Sequence, residues 1–580
     1  MTGPPAQVTE PGPLRQVGAG IGRAAVLIGG ITVLARLVGF GRQLVFAHTV
    51  GNHCLGTAYA TANQVPNIIY DIVLGGALTS AVVPVLAVAA AYRTAAGLAG
   101  PAGPLPTGTP AGGPAAARAG ARAEANPGAD AEASRIASAL LTWTVVLLVP
   151  VSILLVLVAG PLTSLLLAGA PRCDAAATQA VSARMLVVFA PQILLYGLAV
   201  VLYGILQAHR RFTAPALAPV ISSLVVIAAY VAFVPLRDGA QTRLTALTRP
   251  AELVLSIGTT AGVAALVFTA LGPALRLRLR LRPALRFPDG VARRVRGLAG
   301  VGVAALIAQD ASLVAIIVLA NGHGGQGALV LYNYGWQMFF VPYAVLAVPI
   351  ATSAFPVLSA GDGAGFDHTA ASSTRAVMLV SWLGAALLAG AAIPAARLFV
   401  SGPGQARQLA ITFALFAPGL IGYGLAANAS RVLFACHRSR LAAIALVSGW
   451  LAVIVTDLAA VPAVAPRWVV PVLALGNTVG LTLAGLALLA AVRHARGPAA
   501  LRGSARAAAA GLAGALAGAA AGGLVSAALP ATGFLPNAGV AALACLAAAA
   551  VFGAVVVVLD GKDLRALAAR ARARLRRRPA

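Results

Sequence analysis

The sequence predicts an all-α polytopic membrane protein of about fourteen transmembrane helices, arranged as two pseudo-symmetric six-helix bundles plus two C-terminal helices. Three observations carry that expectation. Of 580 residues 59% are apolar and 10% charged, with a mean hydropathy of +0.89, whereas water-soluble domains carry about 25% charged residues. The apolar residues gather in runs long enough to cross a bilayer, which takes about 20 residues as a helix. Basic residues concentrate in alternate gaps between the runs, the pattern by which a chain sets its orientation in a membrane.

Taken in order, the runs lie at 24–48, 60–92, 135–168, 179–208, 214–235, 251–273, 297–320, 327–358, 373–400, 405–435, 440–461, 467–492, 506–529 and 535–559, each bounded by polar or Gly/Pro breaks. The segment 1–23 is polar, and no small-residue cleavage site follows the first run, so no cleaved signal is expected. Six runs make a first bundle at 24–273, interrupted at 97–134 by an Ala/Gly/Pro-rich stretch predicted to be a disordered cytoplasmic loop. A basic cytoplasmic bridge at 274–296 leads to a second bundle at 297–492, two C-terminal helices at 506–559 and a basic tail at 560–580. Bridge and tail either anchor the topology or hold anionic lipid headgroups at the cytoplasmic face.

Of the 42 Lys and Arg residues, 32 fall in the termini and the even-numbered loops, which puts both termini in the cytoplasm. The formal net charge of +27 therefore reflects topology, and no nucleic-acid partner is expected. Four cysteines, Cys54, Cys173, Cys436 and Cys545, show neither CxxC nor His/Cys ligand spacing, so no metal or cofactor is expected. Cys54 and Cys173 fall in two external loops, where they either pair or remain free thiols.

A short repeat relates the two halves. Thr79-Ser80-Ala81-Val82-Val83-Pro84-Val85-Leu86 in the second run resembles Thr352-Ser353-Ala354-Phe355-Pro356-Val357-Leu358 in the eighth, about 270 residues later. Six spans separate the copies, so both run the same way, as two parallel halves require. Such halves rocking against each other expose a central cavity to each side in turn. Pro66, Pro84, Pro191, Pro342, Pro349 and Pro356 interrupt runs at inner positions, as do Gly39, Gly41, Gly75 and Gly76. Helix breaks at membrane depth are tolerated where the freed backbone lines a cavity or packs on protein.

Ionisable residues within runs cost about 2.5 to 3.5 kcal/mol at the bilayer centre, so they should face an interior. Arg36 and Arg42 stand in Ala35-Arg36-Leu37-Val38-Gly39-Phe40-Gly41-Arg42-Gln43, about 120° apart around a helix. Either both reach a wide cavity or one snorkels to the interface. A diphosphate would favour such arginines, whose planar forks bind phosphate oxygens in pairs. Asp310, beside Gln309, either serves a coupling ion or makes an inter-helix hydrogen bond, and Asp457 is expected at the membrane interface. No Ser/His/Asp, paired-carboxylate, Walker or GxGxxG arrangement has a plausible setting, so an enzyme is not expected.

From Arg36 to Leu86 the chain resembles the MurJ (MviN) family of lipid II flippases, in the multidrug/oligosaccharidyl-lipid/polysaccharide exporter superfamily. The resemblance rests on Arg36-x-x-Gly39-Phe40-x-Arg42, Pro66-Asn67, Gly76-Ala77 and the Ser80 to Pro84 stretch, and it returns at Tyr334, Pro342 and Thr352 to Leu358. It implies export of an undecaprenyl-diphosphate-linked peptidoglycan precursor across a bacterial plasma membrane, with Arg36 and Arg42 meeting the diphosphate. It also implies a tail groove formed by the last two spans, where Ala509 to Gly523 presents a surface of small residues. Asn67, Asp71 and Gln337 complete the substrate-binding set read this way, with Asp310 as the candidate coupling residue.

The chain departs from that family at informative positions. Tyr70-Asp71 stand where the family usually has Arg-Arg, Gly75-Gly76-Ala77 where it has Glu-Gly-Ala, and Gln337 where it has an arginine in the eighth span. A less cationic cavity follows, in which Asp71 either pairs with Arg36 or Arg42 or faces water. Two alternatives stand beside the flippase reading: an exporter of another polyprenyl-linked glycan or of a drug, and a non-transporting scaffold that recruits cell-wall synthesis proteins.

Overall fold

The computed structural model describes residues 13–72, 127–169, 173–209, 211–237, 239, 241–277, 282–285, 291–361 and 363–576. No strand occurs among them. In lipid a spanning segment has to satisfy its own backbone groups, which a helix does within one segment, and the apolar runs are helical over their described residues. The first half comprises α1 (Pro13–Thr49), α2 (Cys54–Tyr70), α3 (Pro127–Leu157), α4 (Ala159–Leu166), α5 (Ala175–Phe189), α6 (Gln192–Ala208), α7 (Thr213–Phe233) and α8 (Arg249–Leu275). The second half comprises α9 (Val291–His323), α10 (Ala328–Pro342), α11 (Val348–Ala360), α12 (Gly363–Gly390), α13 (Ala392–Phe399), α14 (Pro403–Phe416), α15 (Gly419–Ala435), α16 (Ser439–Ala460) and α17 (Pro466–Arg496). The chain ends in α18 (Ser504–Ala528) and α19 (Phe534–Arg576).

Twelve helices among the described residues are long and apolar enough to cross a membrane, and α14 with α15, bent by 41°, counts as a thirteenth span. The chain is thus an all-α multi-pass membrane protein. Several spans are two helices joined at a break, and prolines stand at the joints. Pro191 precedes α6, Pro418 precedes α15, and Pro342 closes α10 ahead of a π turn at Tyr343–Ala347, since proline removes a backbone donor and bends a helix. Pro66 and Pro356 lie inside continuous helices. The motif copy at Thr79 to Leu86 is outside the described residues. The described parts of the two related spans nevertheless share a feature, for α2 runs into a π turn at Asp71, about 270 positions before the π turn at Tyr343.

Packing follows the halves. Within the first, α7 lies against α1 and α8, while α2 packs on α5; within the second, α17 packs on α14, α15 and α16. The last two helices lie against each other and against α12. The small residues of α18 serve close helix contact. A Cβ on Gly511 would sit 2.3 Å from Trp382, and one on Gly522 would sit 2.9 Å from Gly390 and 3.0 Å from the Ala544 carbonyl. Where α19 kinks at Asp560, Arg506 donates to the freed Leu559 carbonyl at 2.7 Å and pairs with the Asp560 carboxylate at 3.1 Å.

Three expectations need correction. Residues 127–134, predicted as the end of a disordered loop, form the first turns of α3, because Pro127 suits a helix start and Ala129, Ala131, Glu132 and Ala133 after it are good helix formers. The rest of that loop lies outside the described residues. The bridge at 274–296 is shorter than expected, α8 ending at Leu275 and α9 beginning at Val291. Its described middle docks on α3: the Arg282 and Ala284 amides donate to Ser138 Oγ and Thr142 Oγ1, and Trp143 donates to the Leu285 carbonyl. Asp457, expected at the interface, is 0% exposed. Gly476 on α17 faces it, and a Cβ there would fall 1.9 Å from Asp457 Oδ1. That missing side chain leaves the space in which the carboxyl lies.

Candidate functional site

Two adjoining cavities lie between the halves, of about 360 and 400 Å³. Arg42, Tyr196, Ser222 and Gln337 line both. Arg36 lines the second, and Asn67 and Asp71 line the first. The five residues read from the sequence as substrate-binding therefore line two cavities that share Arg42 and Gln337, the first polar and the second largely apolar, with Arg36 exposed at the second. Arg36 and Arg42 both reach these cavities although they point in different directions around α1, because the two cavities are stacked along that helix.

Glycine makes the room. Gly39 lines the second cavity, and a Cβ on Gly39 or Gly41 would meet nothing within 4 Å. The Arg36 guanidinium lies over the Phe340 ring, 5.0 Å from its centroid, an arrangement that draws a cation to the negative face of an aromatic ring. Asp71 forms no ion pair with Arg36 or Arg42 among the described residues. Asn67 donates to the Asn63 carbonyl one turn earlier, at 3.0 Å.

The two walls differ in chemistry. Among the described residues the first half supplies the charged side chains of the lining, Arg36, Arg42 and Asp71, beside tyrosines and amides such as Tyr196 and Gln64; the second supplies uncharged side chains, among them Trp336, Gln337, Trp450 and Asn477. The halves touch through Gln64, which donates to Asn333 Oδ1 at 3.2 Å, and through Phe40 edge-on to Phe399 at 5.8 Å.

At the end nearest Cys54 the halves close tightly. Cys54 and Cys173 form a disulfide that ties the start of α2 to the segment before α5. Gln326 donates to Cys54 Sγ, the Gly327 amide donates to Thr57 Oγ1 at 3.0 Å, and Asn321 donates to Thr61 Oγ1 and to the Leu166 carbonyl. Beneath that plug the hydroxyls of Tyr230, Tyr59 and Thr259 form a chain with links of 2.8 and 2.7 Å. In the first half Arg184 grips the buried Glu252 with two nitrogens, at 2.9 and 2.7 Å, and so joins α5 to α8.

Asp310 is buried, and its neighbours Gln309 and Ser312, not Asp310 itself, line the first cavity. No described residue hydrogen-bonds its Oδ2, so the expected inter-helix bond does not form at that atom. Both carboxyl oxygens of Asp457 also lack partners among the described residues. Among the described residues no three His, Cys, Asp or Glu side chains gather as metal ligands.

Sequence reading missed Gln64, Asn333, Tyr196, Trp336 and Trp450. A signal existed for the first two. Gln64, Asn67 and Asp71 recur at helical spacing along α2, as do Asn333 and Gln337 along α10, and such a polar stripe on an apolar helix marks an interior face. Nothing in the local sequence distinguishes Trp450 from a lipid-facing tryptophan.

A polytopic helical bundle with a polar cavity between two sets of packed helices is a transporter architecture. The sequence profile of the lipid II flippase MurJ family matches residues 46–540, and the chain belongs to that family. Its function is the family's, the flipping of lipid II. Among solved structures it is similar to a lipid II flippase MurJ in an inward closed conformation, with 15% identity, 92% of this chain and 99% of the other covered, and a TM-score of 0.65. It is also similar to an inward-facing multidrug resistance MATE family transporter of the MOP superfamily, at 14% identity over 81% and 97% of the two chains with a TM-score of 0.57. A mutant of the Vibrio cholerae MATE transporter VcmN matches at 14% identity over 82% and 97%, with a TM-score of 0.53. At these identities the structures show a shared fold and no more. The profile match begins just past Arg42, so what is observed of the two arginines is that they line the cavities.

Proposed function

We propose that this chain carries an undecaprenyl-diphosphate-linked peptidoglycan precursor from the inner to the outer leaflet of a bacterial plasma membrane by alternating access, with both termini in the cytoplasm. One observation carries the reading: Arg36 and Arg42, from a single helix, line adjoining cavities between the two halves. Two guanidinium groups stacked along one helix suit a diphosphate, which offers several oxygens to planar forks. Asn67, Asp71 and Gln337 complete the binding surface, and Asp310 behind it is the candidate for ion coupling. The moving bodies are residues 24–273 and 297–492, joined by the bridge.

Two independent features support the orientation. Of the 42 Lys and Arg residues, 32 lie in the termini and even loops. The Cys54–Cys173 disulfide joins the first and third loops, and disulfides persist on the oxidising side of a membrane. On this orientation the tight plug is the external gate. The basic bridge and tail then face anionic lipids and cell-wall synthesis proteins at the cytoplasmic surface.

Complementation tests the proposal. Wild-type protein should restore growth to a strain depleted of its own flippase, and Arg36→Ala or Arg42→Ala should not, at equal membrane levels. Growth restored equally by both variants would overturn the assignment. Gln337 and Asp71, standing where arginines are usual, also favour a second reading, export of another polyprenyl-linked glycan; there, complementation fails while a different lipid-linked sugar accumulates inside the deletion strain.

A further inference from the structure

The second half contributes no charged side chain to the lining of either cavity among the described residues. What it contributes is uncharged: aromatic and amide side chains together with Ser312, Leu313, Ile316, Val330 and Val341. Trp336 on α10 and Trp450 on α16 both line the first cavity. The Trp336 ring is held in place: it stacks on Phe339 at 5.2 Å with 24° between planes, and it meets Phe416 and Tyr423 edge-on at 6.0 Å each. An aromatic ring fixed by its neighbours presents a surface at small entropic cost on binding. Neither indole N–H donates to a described residue, and Gln337, next to Trp336 in sequence, makes no hydrogen bond to one.

We propose that Trp336, assisted by Trp450 and Gln337, recognises the disaccharide of the lipid-linked substrate. This rests on the flippase reading above and adds the part of the substrate that the arginines do not address. A pyranose ring has faces lined by C–H bonds of partial positive charge, which match the negative face of an indole. Its hydroxyl and acetamido groups need neutral donors and acceptors, which a free glutamine amide and two indole N–H groups supply. A neutral wall also avoids the cost of stripping water from a charge that the sugar could not neutralise. The positions agree with the covalent order of the substrate. Of these two cavities Arg36 lines the second, Arg42 and Gln337 line both, and the two tryptophans line the first, Trp450 also bordering a smaller apolar pocket beside it. A diphosphate held at the arginines therefore places the sugars, bonded directly to it, beside the tryptophans.

The test compares two lipids on the full-length protein in nanodiscs: the polyprenyl-diphosphate-linked disaccharide and the same polyprenyl diphosphate without sugar. Wild type should bind the sugar-bearing lipid at least about tenfold more tightly. Trp336→Ala should remove that preference by weakening only the sugar-bearing lipid, Trp336→Phe should keep most of it, and Arg42→Ala should weaken both lipids. Trp336→Leu, which keeps apolar bulk without a π face, repeats the comparison where the alanine variant does not fold. Equal weakening of both lipids by Trp336→Ala and Trp336→Leu, or no weakening by either, overturns the proposal and leaves the flippase reading standing. A site that instead favours an organic cation, displaced from Trp336 by no sugar, also overturns it. Wild-type protein that binds neither lipid removes the flippase reading and this proposal together.

Discussion

Gly39 owes its importance to the space beside it. A side chain at this position would meet no atom within 4 Å at its Cβ and would project beside Arg36 into the second cavity. Gly39→Leu should therefore leave folding intact, since a helix tolerates leucine better than glycine, yet it should abolish flipping by filling the cavity. Normal membrane levels with transport at background is the expected result, and wild-type transport would show that the cavity does not carry substrate. Gly476 presents the opposite case. A Cβ there would overlap the Asp457 carboxyl and press on α16, so Gly476→Ala should lower stability by about 1 to 3 kcal/mol. Thermal unfolding in detergent would measure the loss.

Among the elements, the short segment between α1 and α2 organises the closed end. Gly51 and Gly327 both adopt positive φ, at 78° and 76°, and a Cβ on Gly327 would fall 1.9 Å from the Asn52 carbonyl oxygen. Backbone thus meets backbone across the two halves. Gly327→Ala should prevent this closure, at a backbone cost of about 1 to 2 kcal/mol in addition to the clash. Labelling of a cysteine introduced at Gln64 by an external membrane-impermeant thiol reagent should rise several-fold in that variant, and unchanged labelling would contradict the gate. The disulfide holds the same segment from the first-half side. Denatured without reductant, the protein should take up thiol label at Cys436 and Cys545 only, and with reductant at all four cysteines. Four labelled cysteines without reductant would place both loops on the reducing side.

For the whole molecule, the contacts joining the halves include few polar bonds, and these lie along α2, the end of α4 and α9–α10. Alternating access requires these bonds to break while each half stays packed. Cysteines at Gln64 and Asn333, joined by a short bifunctional thiol reagent, should stop transport relative to the same protein before cross-linking, and each single cysteine treated likewise should not. Transport that continues at full rate after cross-linking would mean that the halves do not separate there.

Fold class and span order were legible in the sequence because lipid imposes one rule on every segment: the backbone must satisfy itself, so run length and hydropathy suffice. Arginine alternation supplied the expected orientation by the same local logic. That the arginines of α1 needed a polar setting was legible because charge at membrane depth is costly wherever the helix points; that both line cavities, Arg36 exposed and Arg42 half-buried, was decided by packing. Which residues join them was decided by tertiary structure. Trp336 and Trp450 reach the first cavity because of how α10 and α16 are rotated against their neighbours, and rotation is set by packing, not by the composition of either helix. Asp457 makes the same point. Its place near the end of a run located it along the membrane normal, but only the approach of Gly476 from another helix determined that it would be buried, since depth is a property of one segment and burial is a property of two.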